Sequence, residues 1–155
     1  MWFMNKFRIF IVLMALTFSQ SAASGELADA DSPAGHDLIV EVRVTGGLCA
    51  YGLCYGVQKI FRDGYLTSKE GEGPERKIAM DGDEVKELLI LVEEIDFDIV
   101  RGRPFTGICP EAYDGRRYRY SFYTGQDAQE IDSCQHEIAG YPVFEKINKL
   151  LSQWY

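Results

Sequence analysis

The spacing of apolar residues changes along this chain, and that change restricts the fold more than any other feature of the sequence. In residues 38–45, "LIVEVRVT", one face of a strand would carry Leu38, Val40, Val42 and Val44, and the other face would be polar. In residues 85–95 the apolar positions instead recur every three or four residues, as on one side of a helix. The two periods together predict an α+β fold.

The other periodic segments extend this pattern to the order β-β-β-α-β-β-α, without an internal repeat. Further strands are predicted in four segments, which are residues 53–61, 65–68, 116–124 and 128–134. Asp81 and Glu84 have the spacing of a capping box for the first helix, which should end near Phe97, and the last helix should begin at Pro142. Residues 70–77, "EGEGPERK", are predicted to be a glycine-rich turn. Since short turns join most strands, we expect a mainly antiparallel sheet of about five strands with two helices packed on one face.

The N-terminal residues 1–23 have the features of a secretory signal peptide. Lys6 and Arg8 precede an apolar run from Ile9 to Phe18, and small residues follow up to Ala23. The run is about half the length that a membrane-spanning helix needs, so a retained anchor is the less favoured alternative. Residues 24–37 are polar and acidic and predict a flexible tether, and residues 38–155 predict a single domain. We therefore expect a secreted or periplasmic monomer without a membrane anchor after cleavage.

Four cysteines in an exported chain of this size predict two disulfides, and three pairings are possible. We favour Cys49 with Cys54 and Cys109 with Cys134. A hairpin register that places Cys49 opposite Cys54 also places Val44 opposite Lys59, and it puts Tyr55, Val57 and Phe61 on the face that carries Val42, Val44 and Leu48. The second bridge would fasten the loop at residues 101–115, which is either a binding element or a strap, to the end of the fifth strand.

Several chemistries are disfavoured by the composition. The formal charge of −8 becomes −10 when the signal peptide is lost, because 16 basic residues become 14 against 24 acidic ones, and this charge disfavours nucleic acid as a partner. No metal site is expected, because Cys49 and Cys54 lack a second pair of ligands at a suitable spacing. A Cys134–His136 dyad would need a free thiolate in an oxidising compartment. We predict neither a cofactor nor an enzyme activity.

Two loops are candidates for binding a protein. Tyr51 lies at the predicted tip of a stapled hairpin between Leu48 and Leu53, where no core is available to it, and Ala50 and Gly52 flank it. Leu48 and Ala50 are the other candidate contact residues of this loop. The second candidate is the loop that contains Arg103 and Phe105. A rigid loop with an amphipathic aromatic side chain suits protein contact because less ordering is needed on binding.

The pattern also resembles a known family. A strand leads into Gly46 and Gly47, a second strand ends at Asp63-Gly64, and residues 87–97, "ELLILVEEIDF", form a helix that precedes a strand pair and a final leucine-bearing helix. This arrangement over residues 38–154 is similar to emfourin, a small inhibitor of thermolysin-like metalloproteases, and to exported bacterial proteins of the same plan. The resemblance implies the α+β fold and a protease partner. The export signal and the four cysteines depart from emfourin.

Two functional hypotheses follow from the sequence. The first is an exported protein-binding module, a protease inhibitor that acts through a disulfide-stapled loop. The alternative is a structural envelope protein with no discrete ligand.

Overall fold

The computed structural model describes residues 37–49, 52–125 and 127–152, with only the backbone at residues 48, 49, 52 and 53. The predicted signal peptide at residues 1–23 and nearly all of the predicted tether at residues 24–37 therefore lie outside the described residues. In the described part, no helix is both long enough and apolar enough to cross a membrane.

A single antiparallel sheet is the centre of the described structure. Its strand order is β4-β3-β2-β1-β5-β6, so that β1 to β4 form a meander and β5 and β6 extend it on the other side of β1. The strands are β1 Leu38–Cys49, β2 Gly52–Phe61, β3 Tyr65–Glu70, β4 Arg76–Ala79, β5 Arg116–Tyr123 and β6 Ala128–Asp132. The predicted antiparallel α+β class is confirmed, with six described strands in place of about five.

The helices are α1 Gly82–Glu94, α2 Phe97–Arg101 and α3 Pro142–Ser152. The side chain of Asp81 caps α1 by accepting a hydrogen bond from the backbone N–H of Asp83 at 2.7 Å. The prediction that this helix ends near Phe97 is wrong, because Ile95 already has an extended backbone. The side chain of Asp96 then caps α2 by accepting hydrogen bonds from the backbone N–H groups of Asp98 and Ile99. A second cap two residues after the end of α1 thus makes a helical corner where the sequence shows one apolar pattern.

The core lies between the helices and one face of the sheet. On that face, Val42 of β1 pairs with Tyr120 of β5, and Val40 pairs with Phe122. The ring of Phe144 from α3 packs edge-on against Tyr120, with centroids 4.9 Å apart, and against Phe122 at 5.8 Å. Burial of these aromatic side chains, together with Val85, Leu88 and Val92 of α1, holds the helices on the sheet.

The predicted register of the first hairpin is wrong. Val44 pairs with Gly56 rather than with Lys59, and Cys49 pairs with Gly52 rather than with Cys54. At Val44 the predicted register differs from the observed one by three residues, an odd number, so Tyr55 and Val57 lie on the face opposite to Val44. Only two residues separate the end of β1 at Cys49 from the start of β2 at Gly52. A bulge at Gly46 and Gly47, with φ of 79° and 94°, shifts the register between Thr45 and Leu48.

Strand β4 lies inside a segment that was predicted partly as a turn. The turn itself covers the glycines at 71 and 73, but residues from Arg76 onward pair with β3, with Arg76 opposite Ser68 and Ile78 opposite Leu66. All four residues of β4 are exposed. An edge strand without a buried face has no alternation of apolar residues, so the sequence pattern could not reveal it.

Candidate functional site

The loop that follows α2 is fixed at its start by backbone hydrogen bonds. The N–H of Glu137 donates to the carbonyl of Arg103 at 2.8 Å, and the N–H of Phe105 donates to the carbonyl of Gln135 at 2.9 Å. Between these two bonds, Pro104 lies opposite His136 in an isolated antiparallel bridge. We call residues 103–113 the braced loop, because this ladder is the first of three attachments.

The second attachment is the disulfide between Cys109 and Cys134. Their Cα atoms are 5.1 Å apart, and they are separated by 25 positions in the sequence. This pairing was predicted, and it is confirmed. It ties the middle of the braced loop to the turn that follows β6.

The third attachment is a turn of 3-10 helix, Pro110–Tyr113, that packs on the bulge of β1. A Cβ atom at Gly46 would lie 2.6 Å from the carbonyl oxygen of Gly115 and 2.9 Å from Cγ of Glu111. The turn closes with the N–H of Gly115 donating to the carbonyl of Pro110 at 2.8 Å. Glycine at position 46 thus allows both the positive φ and this close approach.

Two apolar side chains of the braced loop remain in solvent despite these attachments. Ile108 is 65% exposed and Tyr113 is 68% exposed, the highest values among the large apolar residues that the structure describes. Sequence reasoning did not select either residue. The sequence did offer one signal for their exposure, which is that both lie outside any periodic apolar segment. Ile108 is next to Cys109, and Tyr113 lies in the loop "PEAYDG".

A buried carboxylate connects the braced loop to the sheet. Asp132 is buried at the end of β6 and accepts hydrogen bonds from Arg117, from Arg119 and from the backbone N–H of Cys134. Burial raises the pKa of Asp132, but these hydrogen bonds outweigh it and hold the pKa below its usual range. Arg117 also reaches Glu111 of the 3-10 turn at 3.6 Å, and its own pKa is raised chiefly by the hydrogen bond with Asp132.

The predicted binding residues have different environments. Arg103 is exposed, with its guanidinium 5.1 Å from the centre of the Tyr141 ring. Phe105 is half-buried, and its ring lies so close to Gly107 that a Cβ there would be 2.7 Å from it. For Leu48 the structure describes only the backbone, which pairs with Leu53, and Ala50 and Tyr51 lie outside the described residues.

The pairing of Cys49 with Cys54 stays a prediction, because the side chain of Cys49 lies outside the described residues. The backbone register changes the argument for it. Cys49 pairs with Gly52, so Cys54 lies two positions further along β2, on the same face, in a diagonal rather than a direct relationship.

Two candidate chemistries can be placed on the structure. Cys134 is bonded to Cys109, so a dyad with His136 does not form. In residues 37–49, 52–125 and 127–152, no group of three or more His, Cys, Asp or Glu side chains is arranged to hold a metal ion. What the geometry does offer is a fixed loop with exposed apolar side chains, which is suited to contact with another protein.

No protein-family model matches this chain, and no curated protein matches its sequence. The resemblance to emfourin therefore stays a prediction.

Proposed function

We propose that this protein is an exported protein-binding module that inhibits a protease through the braced loop. The observation that carries the proposal is the exposure of Ile108 and Tyr113 on a loop with three separate attachments. Exposed apolar side chains on a mobile loop would lose much conformational entropy on binding. On a loop that is already ordered, most of that cost has been met during folding, so burial of the same side chains contributes more to affinity.

The form of the loop supports an inhibitor more specifically than a general adhesive surface. Ile108 directly precedes a disulfide-bonded cysteine, and the chain is held on both sides of it. A protease that bound this segment would meet a backbone that cannot easily rearrange. Such a loop would occupy the substrate cleft while resisting the movement that peptide cleavage requires.

The class of target follows from the resemblance to emfourin, which points to thermolysin-like metalloproteases. The predicted signal peptide would place the protein in the compartment where such secreted enzymes are found. We therefore propose a thermolysin-like protease as the first target to test, with a serine protease as the comparison.

The experiment is a titration of each protease with the exported protein, followed by measurement of residual activity on a small chromogenic peptide. We expect one-to-one inhibition of the metalloprotease. Tyr113→Ser and Ile108→Ser should each weaken this inhibition by about tenfold or more, as the loss of an interface anchor does.

The matched control is Ile78→Ser, which also removes an exposed aliphatic side chain but lies on edge strand β4. It should leave inhibition unchanged. Intact inhibition in all three variants would contradict the role of the braced loop. Absence of inhibition of either protease would favour the alternative of a structural envelope protein.

A further inference from the structure

A second concave surface lies in the helical layer. The end of α1, the short helix α2 and the start of α3 enclose a cavity of about 300 Å³. Its apolar lining comes from all three helices and the residue before α3, namely Leu91, Ile95, Ile99, Tyr141 and Val143. Ile99 is 59% exposed at its mouth, so this apolar surface is open to solvent.

A second cavity, of about 400 Å³, lies on the other side of α2. It is lined by more polar residues, including Asp98, Arg101 and Gln129. The two cavities share the corner between α1 and α2, where Glu94, Ile95 and Asp96 line both of them. We call the pair of cavities the corner groove. It has an apolar half and a polar half that meet at two carboxylates.

The charges of the corner groove are not balanced within the groove. The carboxylate of Glu94 makes no hydrogen bond or ion pair with any residue in the part of the chain that the structure describes. Asp96 uses one oxygen to cap α2, and Asp98 is paired with Arg101 at 2.9 Å. Arg101 also donates to Gln129, so its guanidinium is bonded to two other partners rather than to Glu94. The shared corner is therefore electronegative and is free to accept a cation.

The side chain of Tyr141 forms part of the wall of the apolar half. The hydroxyl oxygen of Tyr141 is buried and has no hydrogen-bond partner among the described residues. Its ring is covered on one side by Arg103, so the side chain is held in place.

We propose that the corner groove binds an extended segment of a partner protein in which an aliphatic side chain is next to a lysine or arginine. The aliphatic side chain fills the apolar half beside Ile95 and Ile99. The neighbouring cation lies at Glu94 and Asp96, where the two cavities meet. This proposal does not depend on the braced loop, since the two surfaces use different residues.

The test is a titration of the isotope-labelled exported protein with capped dipeptides at millimolar concentrations, followed by backbone amide shifts. The probes are acetyl-leucyl-lysine amide, acetyl-leucyl-glutamate amide and acetyl-glycyl-lysine amide. We expect the leucyl-lysine probe to shift amides around residues 91–99 and 141–143, and to bind about threefold more tightly than the leucyl-glutamate probe. The glycyl-lysine probe should bind too weakly for its affinity to be measured.

Two pairs of variants locate the site. Glu94→Gln should abolish the preference for lysine over glutamate, and Glu93→Gln, which removes the neighbouring exposed carboxylate outside the groove lining, should retain it. Ile99→Ser should weaken binding of the leucyl-lysine probe, whereas Ile90→Ser, at another exposed aliphatic residue of α1, should not. Both aliphatic positions are exposed, so the fold should survive each change.

Three results would overturn the proposal: no amide shifts with any probe, shifts centred elsewhere, or equal affinity for the lysine and glutamate probes. A loss of the lysine preference in Glu93→Gln as large as in Glu94→Gln would also overturn it. Because the readout is binding to the helical layer, failure here leaves inhibition by the braced loop unaffected, and failure of inhibition leaves this test unaffected.

Discussion

Nε of Arg117 lies 3.0 Å from each carboxylate oxygen of Asp132. The same carboxylate accepts from Nε of Arg119 at 3.1 Å and from the backbone N–H of Cys134 at 2.9 Å. One buried side chain of β6 thereby joins two positions of β5 to the cysteine that holds the braced loop. The stability of the sheet and the position of the loop should therefore depend on the same charge.

The first prediction concerns this charge and pH. Because the pKa of Asp132 is lower in the folded state than in the unfolded state, its contribution to stability is complete above the ordinary aspartate pKa of about 4 and is lost as the pH falls through the folded value. Asp132→Asn should lower the free energy of unfolding by about 2 kcal/mol at neutral pH and should flatten its decline in acid. Urea unfolding at a series of pH values measures both effects.

The control for this prediction is Asp98→Asn, which removes an exposed carboxylate with a single ion pair to Arg101. We expect little change in stability from it, since solvent screens such pairs. An equal loss of stability in the two variants at neutral pH would show that the network around Asp132 has no special contribution.

The second prediction concerns the confirmed disulfide. By the loop-closure model, a bridge between positions 25 apart stabilises the folded state by about 3 kcal/mol. The double variant Cys109→Ser/Cys134→Ser should lose about this amount in chemical denaturation. Cys49→Ser/Cys54→Ser should lose less, because the predicted bridge closes a much shorter loop. The opposite ranking would contradict the account, as would peptide mapping that links Cys49 to Cys109.

The third prediction concerns Gly46. A Cβ at this position meets the carbonyl oxygen of Gly115 at 2.6 Å, and φ is 79°. Gly46→Ala should therefore destabilise the protein by about 2 kcal/mol or more. Gly82→Ala is the matched control, because no atom lies within 4 Å of the added Cβ. If thermal unfolding shows the two variants to be equally stable, the 3-10 turn does not pack on the bulge of β1.

The fourth prediction concerns the hydroxyl of the buried Tyr120, which donates to Oδ1 of Asn148 at 2.9 Å at the edge of the core. Asn148→Ala leaves this buried hydroxyl without its partner and should cost about 1 to 2 kcal/mol. Tyr120→Phe removes the hydroxyl itself, and Asn148 is exposed enough to bond to water, so its cost should be smaller. A double-mutant cycle by urea denaturation separates the two. A larger loss in Tyr120→Phe than in Asn148→Ala would contradict the pairing.

The elements that sequence reasoning predicted correctly are those with one buried and one exposed side. The strand predicted at residues 116–124 is β5, and its alternating residues Tyr120 and Phe122 are both fully buried on the core side. The cap at Asp81 and the proline at position 142 placed the starts of α1 and α3. In each case the local pattern and the tertiary packing favour the same structure.

The error in the hairpin register arose because contacts distant in the sequence decide the structure there. The register of the first hairpin depends on a bulge at Gly46 and Gly47. This bulge packs against a turn more than sixty residues later in the chain, and local sequence patterns do not encode contacts at such a separation. Ile108 and Tyr113 are likewise exposed because of attachments made by the rest of the braced loop. No periodic pattern in the sequence could reveal them.

The most direct test of the central claim is the inhibition constant for a thermolysin-like protease, measured for the wild-type protein, Tyr113→Ser and Ile78→Ser in one assay. Both substitutions remove an exposed apolar side chain, and only the first lies in the braced loop. The account predicts one-to-one inhibition that Tyr113→Ser weakens about tenfold or more and that Ile78→Ser leaves unchanged. Equal inhibition constants for the two variants, or no inhibition by the wild-type protein, would contradict it.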